Sequence, residues 1–182
     1  MIFKICLVGA IPKGDSERKD WIDWKTHYKS ILSRIDGVEF VDGDDWKDET
    51  KPLLLFGHDA NLVKASDLTI VNAENKLGAG TAQEMLIAKY FSKPVITILP
   101  KDTHHRRSNI LFDGNFIDDW IHPFLLNTSD LVVGAIEDSV GWIEEYRLDP
   151  RSKKIKSIAI IDDAIAAYLE HSKNPGFPLS RE

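Results

Sequence analysis

Glu84 stands in the stretch NKLGAGTAQEML, behind Gly78 and Gly80 and ahead of an apolar helical run. Glycines at such a place let a ligand come close to backbone amides. A carboxylate beside that opening can act as a nucleophile or take up a proton. The dipole of the helix favours its ionised form, which a nucleophile needs. A second reading is structural: TAQE matches a capping box in which Thr81 caps the helix and Glu84 reaches back to its amide. That box requires neither glycine, so reagent and cap both stay open.

Two further acids bracket the segment DANLVKASD. Asp59 could be the N-cap of a short helix or a second acid at the strand ends, and His58 beside it reads as a loop residue. Asp67 follows Ser66 at a helix-to-strand turn, where an Asx-type turn accounts for it. Lys101, His104, His105, Arg106 and Arg107 make a basic loop that could hold a phosphate or stay solvated. The adjacent histidines lack the spacing of a helical metal site, so no metal is expected. The five tryptophans fall at helical or amphipathic positions and read as core or interface packing.

These residues need a scaffold, and the composition allows one. The chain has 182 residues, 43% of them apolar and 29% charged, enough for one domain over 1–182 with a sizeable core. Its net charge of −6 argues against general binding to nucleic acid polymers, which takes a basic face. Cys6 is the only cysteine, so no internal disulfide forms and a reducing compartment fits. The opening MIFKICLVGA carries a lysine and reads as a strand, and no apolar run is long enough for a membrane span. A cytoplasmic protein is expected.

Strands and helices alternate along the chain. IFKICLVGA, GVEFVDG, DLTIVNA, KPVITILP and DLVVGA have the form of short buried strands. Between them, 17–35 carries Trp21, Trp24, Tyr28, Ile31, Leu32 and Ile35 at helical spacing. Further helices are expected over 59–66, 80–91, 136–146 and 155–171, with 101–114 as a polar loop and a Pro-containing tail. The stretch 44–58 has no clear assignment. This alternation predicts an α/β fold: a doubly wound, Rossmann-like (flavodoxin-like) parallel sheet of about five strands with helices on both faces. Ligands of such sheets lie at the carboxyl ends of the strands. That rule singles out the loop after Ala10, the residues after Gly43, NAENKLGAG, and the loop after Pro100.

Taken in order, KICLVGAI, DANLVKASDLTIVNAE, GAGTAQEMLIAKYFSKPVITI and SNILFDG resemble the nucleoside 2-deoxyribosyltransferase family, which includes deoxynucleoside 5′-monophosphate N-glycosidases. The likeness covers roughly 4–114, and a helical extension over about 136–172 lies beyond it. The resemblance implies that Glu84 is the nucleophile attacking C1′ of the sugar, and that Asp59 helps the nucleobase leave. It implies that Gly9 and Ile11 line the base and sugar, and that Gly78 and Gly80 border the sugar. Ser108 and Asn109 would contact the 5′ end of the substrate across a subunit interface, making the protein a homodimer or higher homo-oligomer with shared sites. The partners implied are a nucleoside or nucleotide and a nucleobase, with no cofactor.

Two departures bear on the reaction. Gly78 stands where transferases of the family often carry an aspartate, and the first loop offers only Lys13 where the monophosphate hydrolases have an arginine. Transfer of the deoxyribosyl group to a second base is the leading expectation. Hydrolysis of deoxynucleoside 5′-monophosphates is its alternative, and a nucleotide-sensing module without turnover is a third. GAGTAQE also echoes the phosphate motif of cytokinin-activating phosphoribohydrolases. That group needs a proline–glycine pair before the motif, where this chain has ENKL.

Overall fold

Five short apolar runs pair as one parallel sheet in the computed structural model, in the order β2-β1-β3-β4-β7. The structure describes residues 2–173 except Lys13, Asp20, Ile22, 44–47 and Glu49; Lys13 and the Pro-containing tail therefore lie outside the described residues. The sheet strands are β1 (Phe3–Gly9), β2 (Val38–Val41), β3 (Leu68–Asn72), β4 (Val95–Ile98) and β7 (Leu131–Val133). The order matches the expected doubly wound, flavodoxin-like arrangement, whose direction of winding reverses between β1 and β3.

Alternation along the strands divides the core between two faces. Ile5, Leu7, Ile70, Ile96 and Ile98 pack with Tyr28 and Leu32 of helix α2 (Trp24–Leu32), with Ile35 just after it, and with Ile143 of α6 (Val140–Leu148). Cys6, Val8, Val71, Val95 and Leu99 face the other way, onto Val63 of α3 (Pro52–Ala65), Met85 and Ala88 of α4 (Ala79–Tyr90), and Leu125 of α5 (Pro123–Thr128). Both faces are covered, as an all-parallel sheet requires.

Several expected boundaries move. The helix expected over 17–35 is interrupted: a short α1 (Asp15–Arg18) precedes α2, which starts anew where the Asp23 side chain accepts from the Lys25 amide at 3.0 Å. The helix expected to start at Asp59 starts at Pro52, a residue suited to the first turn. Asp59 is thus mid-helix and cannot be the N-cap. The expected loop 101–114 is also overturned. Arg106–Phe112 (β5) and Asn115–Ile121 (β6) form an antiparallel hairpin outside the main sheet. Its turn is Asp113-Gly114, both at positive φ (49° and 79°), the two-residue connection that matches strand twist. Beyond β7, a 3-10 turn (Ile136–Ser139) leads into α6, and the chain ends its described course in α7 (Ile160–His171). No helix among the described residues is long and apolar enough to cross a membrane.

The amino ends of the strands are fastened by charge. Lys89, on the buried side of α4, donates to Asp130 and to the Lys93 carbonyl. Asp130 also accepts from the amides of Val95 and Lys156, at 2.7 and 2.8 Å. Asp67 belongs to this end too. Its carboxylate accepts from the Lys4 amide of β1 at 2.8 Å, in place of an Asx turn. Catalytic candidates therefore have the opposite, carboxyl edge to themselves.

Candidate active site

At the carboxyl edge, β1 and β3 run side by side with Gly9 opposite Asn72. A Cβ on Gly9 would lie 2.7 Å from Cζ2 of Trp24 and 3.0 Å from Cβ of Asn72. The glycine is there because an indole packs against the strand end. Trp24 is held in place by its Nε1–H, which donates to the Ala10 carbonyl at 3.0 Å. Where the winding reverses, the chain leaves a cavity of about 510 Å³. Ile11 and Pro12 wall it from the loop after β1, Trp21 and Trp24 from the approach to α2, and Asn72, Glu74 and Asn75 from the end of β3. Two of the tryptophans expected to serve packing thus face a cavity. Glu74 accepts a 2.8 Å hydrogen bond from the hydroxyl of the buried Tyr28, whose phenol is pushed far above its ordinary pKa by burial and by that carboxylate.

Glu84 does not line this cavity. It sits in the second turn of α4, whose N-cap is Gly78 with Ala79 as first helical residue. Thr81 is inside the helix and buried, and no side chain caps the helix end. The expected capping box is therefore absent, because the helix begins before the motif that would have started it. Gly78 and Gly80 each have nothing within 4 Å of where a Cβ would stand, so the space before Glu84 is open. The Glu84 carboxyl is half-buried and has no hydrogen-bond partner among the described residues.

The charge on Glu84 is set by its neighbours. Burial, then the nearby Asp59 carboxylate, push its pKa up to about 7, and Lys25 opposes them. The dipole does not keep it fully ionised at neutral pH as expected: the second turn lies past the dipole's short reach, and desolvation prevails. Asp59, from α3, accepts from or shares a proton with Nδ1 of His58 at 3.0 Å, and its Oδ1 would lie 3.0 Å from a Cβ at Gly43. His58 is thus a helical partner of Asp59, where a loop residue was expected. Lys25 reaches in from α2, almost fully buried, with Asp42 at 3.6 Å. Cys6 of β1 lies among these groups, and burial followed by Glu84, Asp42 and Asp59 pushes its thiol far up, leaving it protonated. Trp24 lines the cavity, and the Lys25 ammonium of the cluster lies 5.9 Å from the centroid of its ring.

Ser108 and Asn109 lie elsewhere in the chain, on β5 of the hairpin. The ladder skips the pair formed by Asn109, which has φ 52°. Ser108 donates its amide to Asp102 at 2.9 Å. The hairpin base is joined to the Glu84 loop by the Leu77 amide, which donates to Nε2 of His105 at 3.1 Å. His105 therefore carries its proton on Nδ1, which is buried without a partner among the described residues. Burial, then His104 and His122, hold its pKa below the ordinary value. Arg106 is engaged with Asp119 at 2.8 and 2.6 Å and with the Leu99 carbonyl, so the basic segment is partly spent on structure.

Among the described residues, no group of three or more His, Cys, Asp or Glu could hold a metal ion. Lys25, Asp42, Asn72, Glu74 and Asn75 were not foreseen as site residues. Only the rule that ligands gather at strand ends points to Asn72, Glu74 and Asn75, and pairing of Lys25 with Asp42 leaves no local signal. No protein-family model matches the chain, and no curated protein matches it. Among solved structures, it is similar to Clostridium botulinum CMP N-glycosidase, BcmB, over 79% of this chain and 98% of that one, with 14% identity and a TM-score of 0.45.

Proposed function

We propose that this chain cleaves the N-glycosidic bond of (deoxy)nucleosides and belongs with the nucleoside 2-deoxyribosyltransferases and related N-glycosidases. One observation carries the reading. Glu84 keeps a half-buried carboxyl without a hydrogen-bond partner among the described residues, behind two open glycines and beside a second acid. A group with no structural bond to make, tuned to about 7, is suited to chemistry near neutral pH.

In the proposed reaction a Glu84 oxygen attacks C1′ as the C1′–N bond breaks, and the bonding electrons leave with the base. Asp59 assists by protonating or hydrogen-bonding that base. The carboxylate first steadies the oxocarbenium-like centre and then traps it as a glycosyl ester. A second nucleobase then attacks C1′, expelling Glu84 and completing deoxyribosyl transfer; water in its place gives hydrolysis. Gly78 and Gly80 leave room for the sugar, while Gly9 and Ile11 border base and sugar. Ser108 and Asn109 act on the 5′ end of a substrate held by a neighbouring copy in a homo-oligomer, each copy being one domain over 1–182. The protein works in the cytoplasm without a cofactor.

The test is direct. Incubation with deoxyinosine plus adenine, and separately with deoxynucleoside monophosphates in water, is followed by chromatography of free bases and nucleosides. Base exchange supports transfer, and release of base from monophosphates alone supports the hydrolase. Binding without turnover in any mixture, or Glu84→Ala retaining activity within a few-fold, overturns the reading.

A further inference from the structure

One buried charge has no task in the reaction at Glu84. Lys25 stands in the first turn of α2, directly after Trp24, with its side chain only 3% exposed. Two costs argue against a purely structural reason for a lysine there. Taking an ammonium out of water is unfavourable, and a cation in the first turn of a helix opposes the helix dipole. Nor does Asp42 depend on it, since Lys29 meets the same carboxylate at 2.8 Å, against 3.6 Å for Lys25.

What Lys25 faces is a cluster gathered from four other elements. β2 runs beside β1 with Val41 opposite Cys6, so Asp42 follows at the carboxyl edge of the sheet. Gly43 comes next and lies against Asp59 of α3, whose Oδ1 would be 3.0 Å from a Cβ there. Asp59 and Lys25 act on Glu84 of α4 with opposite sign, and Lys25, Asp42, Asp59 and Glu84 all act on Cys6. His58 adjoins Asp59, and Lys29 adjoins Asp42. Lys4 of β1 and Lys64 of α3 sit at the opposite end of the sheet, beside Asp67 and over the Phe91 ring. β3 (LTIVN), β4 (VITI) and α5 (PFLLNT) also pack on α4 and carry no charged side chain. Of the two lysines in the cluster, Lys29 stands partly in solvent, and the charge of Lys25 is the one that reaches Glu84.

We infer that Lys25, anchored on Asp42, is a positioning residue of this site, whose ammonium keeps the Glu84 carboxylate available near neutral pH although Asp59 stands close to it. The inference rests on the N-glycosidase reading. Two neighbouring carboxylates held away from water keep a proton between them unless a cation offsets one. The same charge serves both steps of the reaction. It steadies the carboxylate that attacks C1′, and steadies it again when the C1′–O bond of the glycosyl ester breaks and the electron pair returns to Glu84. Lys25 keeps its protons throughout and acts through Glu84, not on the sugar or the base.

Two readouts separate this inference from the enzyme reading. The first needs no turnover: carbon NMR of the full chain labelled at the glutamate side-chain carboxyl, with Glu84 assigned by Glu84→Gln. In Lys25→Met the pH at which Glu84 ionises should rise by about one unit, and Lys25→Arg, which keeps the charge, should restore it. The second is the pH profile of base release. Lys25→Met should lose about tenfold in kcat/KM on the acid side and stay within about threefold of the unaltered chain at about pH 9. An unmoved Glu84 ionisation in Lys25→Met overturns the inference, as does a loss of activity that is equal at every pH, which a merely structural lysine would give. If thermal melts show that Lys25→Met does not fold, the unaltered chain still decides. The Nζ resonance of Lys25 should follow the ionisation of Glu84, and that step should vanish in Glu84→Gln; its absence from the unaltered chain overturns the inference. A shifted Glu84 in a protein that turns over no nucleoside would leave the charge linkage standing and sink the enzyme reading.

Discussion

Glu84→Gln should abolish base release and at the same time stabilise the fold, by an amount that depends on pH. Each tenfold change in an ionisation constant is about 1.4 kcal/mol. A rise from the ordinary 4.5 to about 7 therefore corresponds to about 3 kcal/mol of unfavourable burial once the group is ionised. Solvent reaches part of the half-buried carboxyl, so about 2 kcal/mol is the working figure. The direction follows from proton counting. Between pH 4.5 and about 7 the folded chain holds a proton on Glu84 that the unfolded chain has released. Stability contributed at this site is thus greatest at or below pH 4.5, falls through that window, and stays low above it. Glutamine has no such slope. The difference in stability between Glu84→Gln and the unaltered chain should be small near pH 4.5 and reach about 2 kcal/mol at pH 8, or roughly 4–8 °C in thermal midpoint for a chain of this size. Thermal melts of both proteins across that range measure it. A difference that is flat with pH, or larger in acid than in alkali, would refute the argument that desolvation and Asp59 set the charge on Glu84.

The same ionisation should shape catalysis: kcat/KM of the unaltered chain should rise as pH climbs towards about 7 and then level off. A rate that is already maximal at pH 5 would refute the raised pKa of Glu84 in the free enzyme. Asp130→Ala strands the fully buried Lys89 ammonium and two backbone amides, and should cost about 3–5 kcal/mol in denaturant titrations; a loss below about 1 kcal/mol would mean the pair is idle. Gly9→Ala pushes a methyl into the Trp24 ring, so it should cost about 1–3 kcal/mol and shift tryptophan emission. Protonation of His105 removes the acceptor for the Leu77 amide. Its lowered pKa means that stability is lost as pH falls below the unfolded value of 6.5, and His105→Leu should flatten that part of the stability profile.

The strands were readable because a buried parallel strand needs only a short apolar run, and LTIV and VITI are such runs. Helix starts were harder. Pro52 opens α3 well before the expected Asp59, within a segment whose leucines at 53–55 are largely exposed and give no clean periodicity. The hairpin did have a local signal in Asp113-Gly114, but its strands expose Leu111 and Phe116 on one face and Phe112 on the other. Without a buried face, alternation carries little information. Within the site, Glu84 was visible because glycines marked the opening before it. Lys25, Asp42 and Glu74 were not, since each owes its place to a partner far along the chain: Asp42 for Lys25, and Tyr28 for Glu74. Capping boxes are local motifs, yet TAQE shows that a local match fails when the helix begins upstream of it.

The knot around Asp130 has a bearing on how the chain is made. It ties Lys89, Val95 and Lys156 to one carboxylate, and Lys156 further donates its ammonium to the carbonyls of Leu126 and Ser129. A nascent chain still short of Lys156 lacks the last of these donors, although every strand of the main sheet has already been synthesised by Val133. The carboxylate that gathers the amino edge of the sheet is thus completed by a donor that lies beyond all five strands in the chain. The Ile158 amide, which donates to the Lys89 carbonyl, belongs to the same late segment.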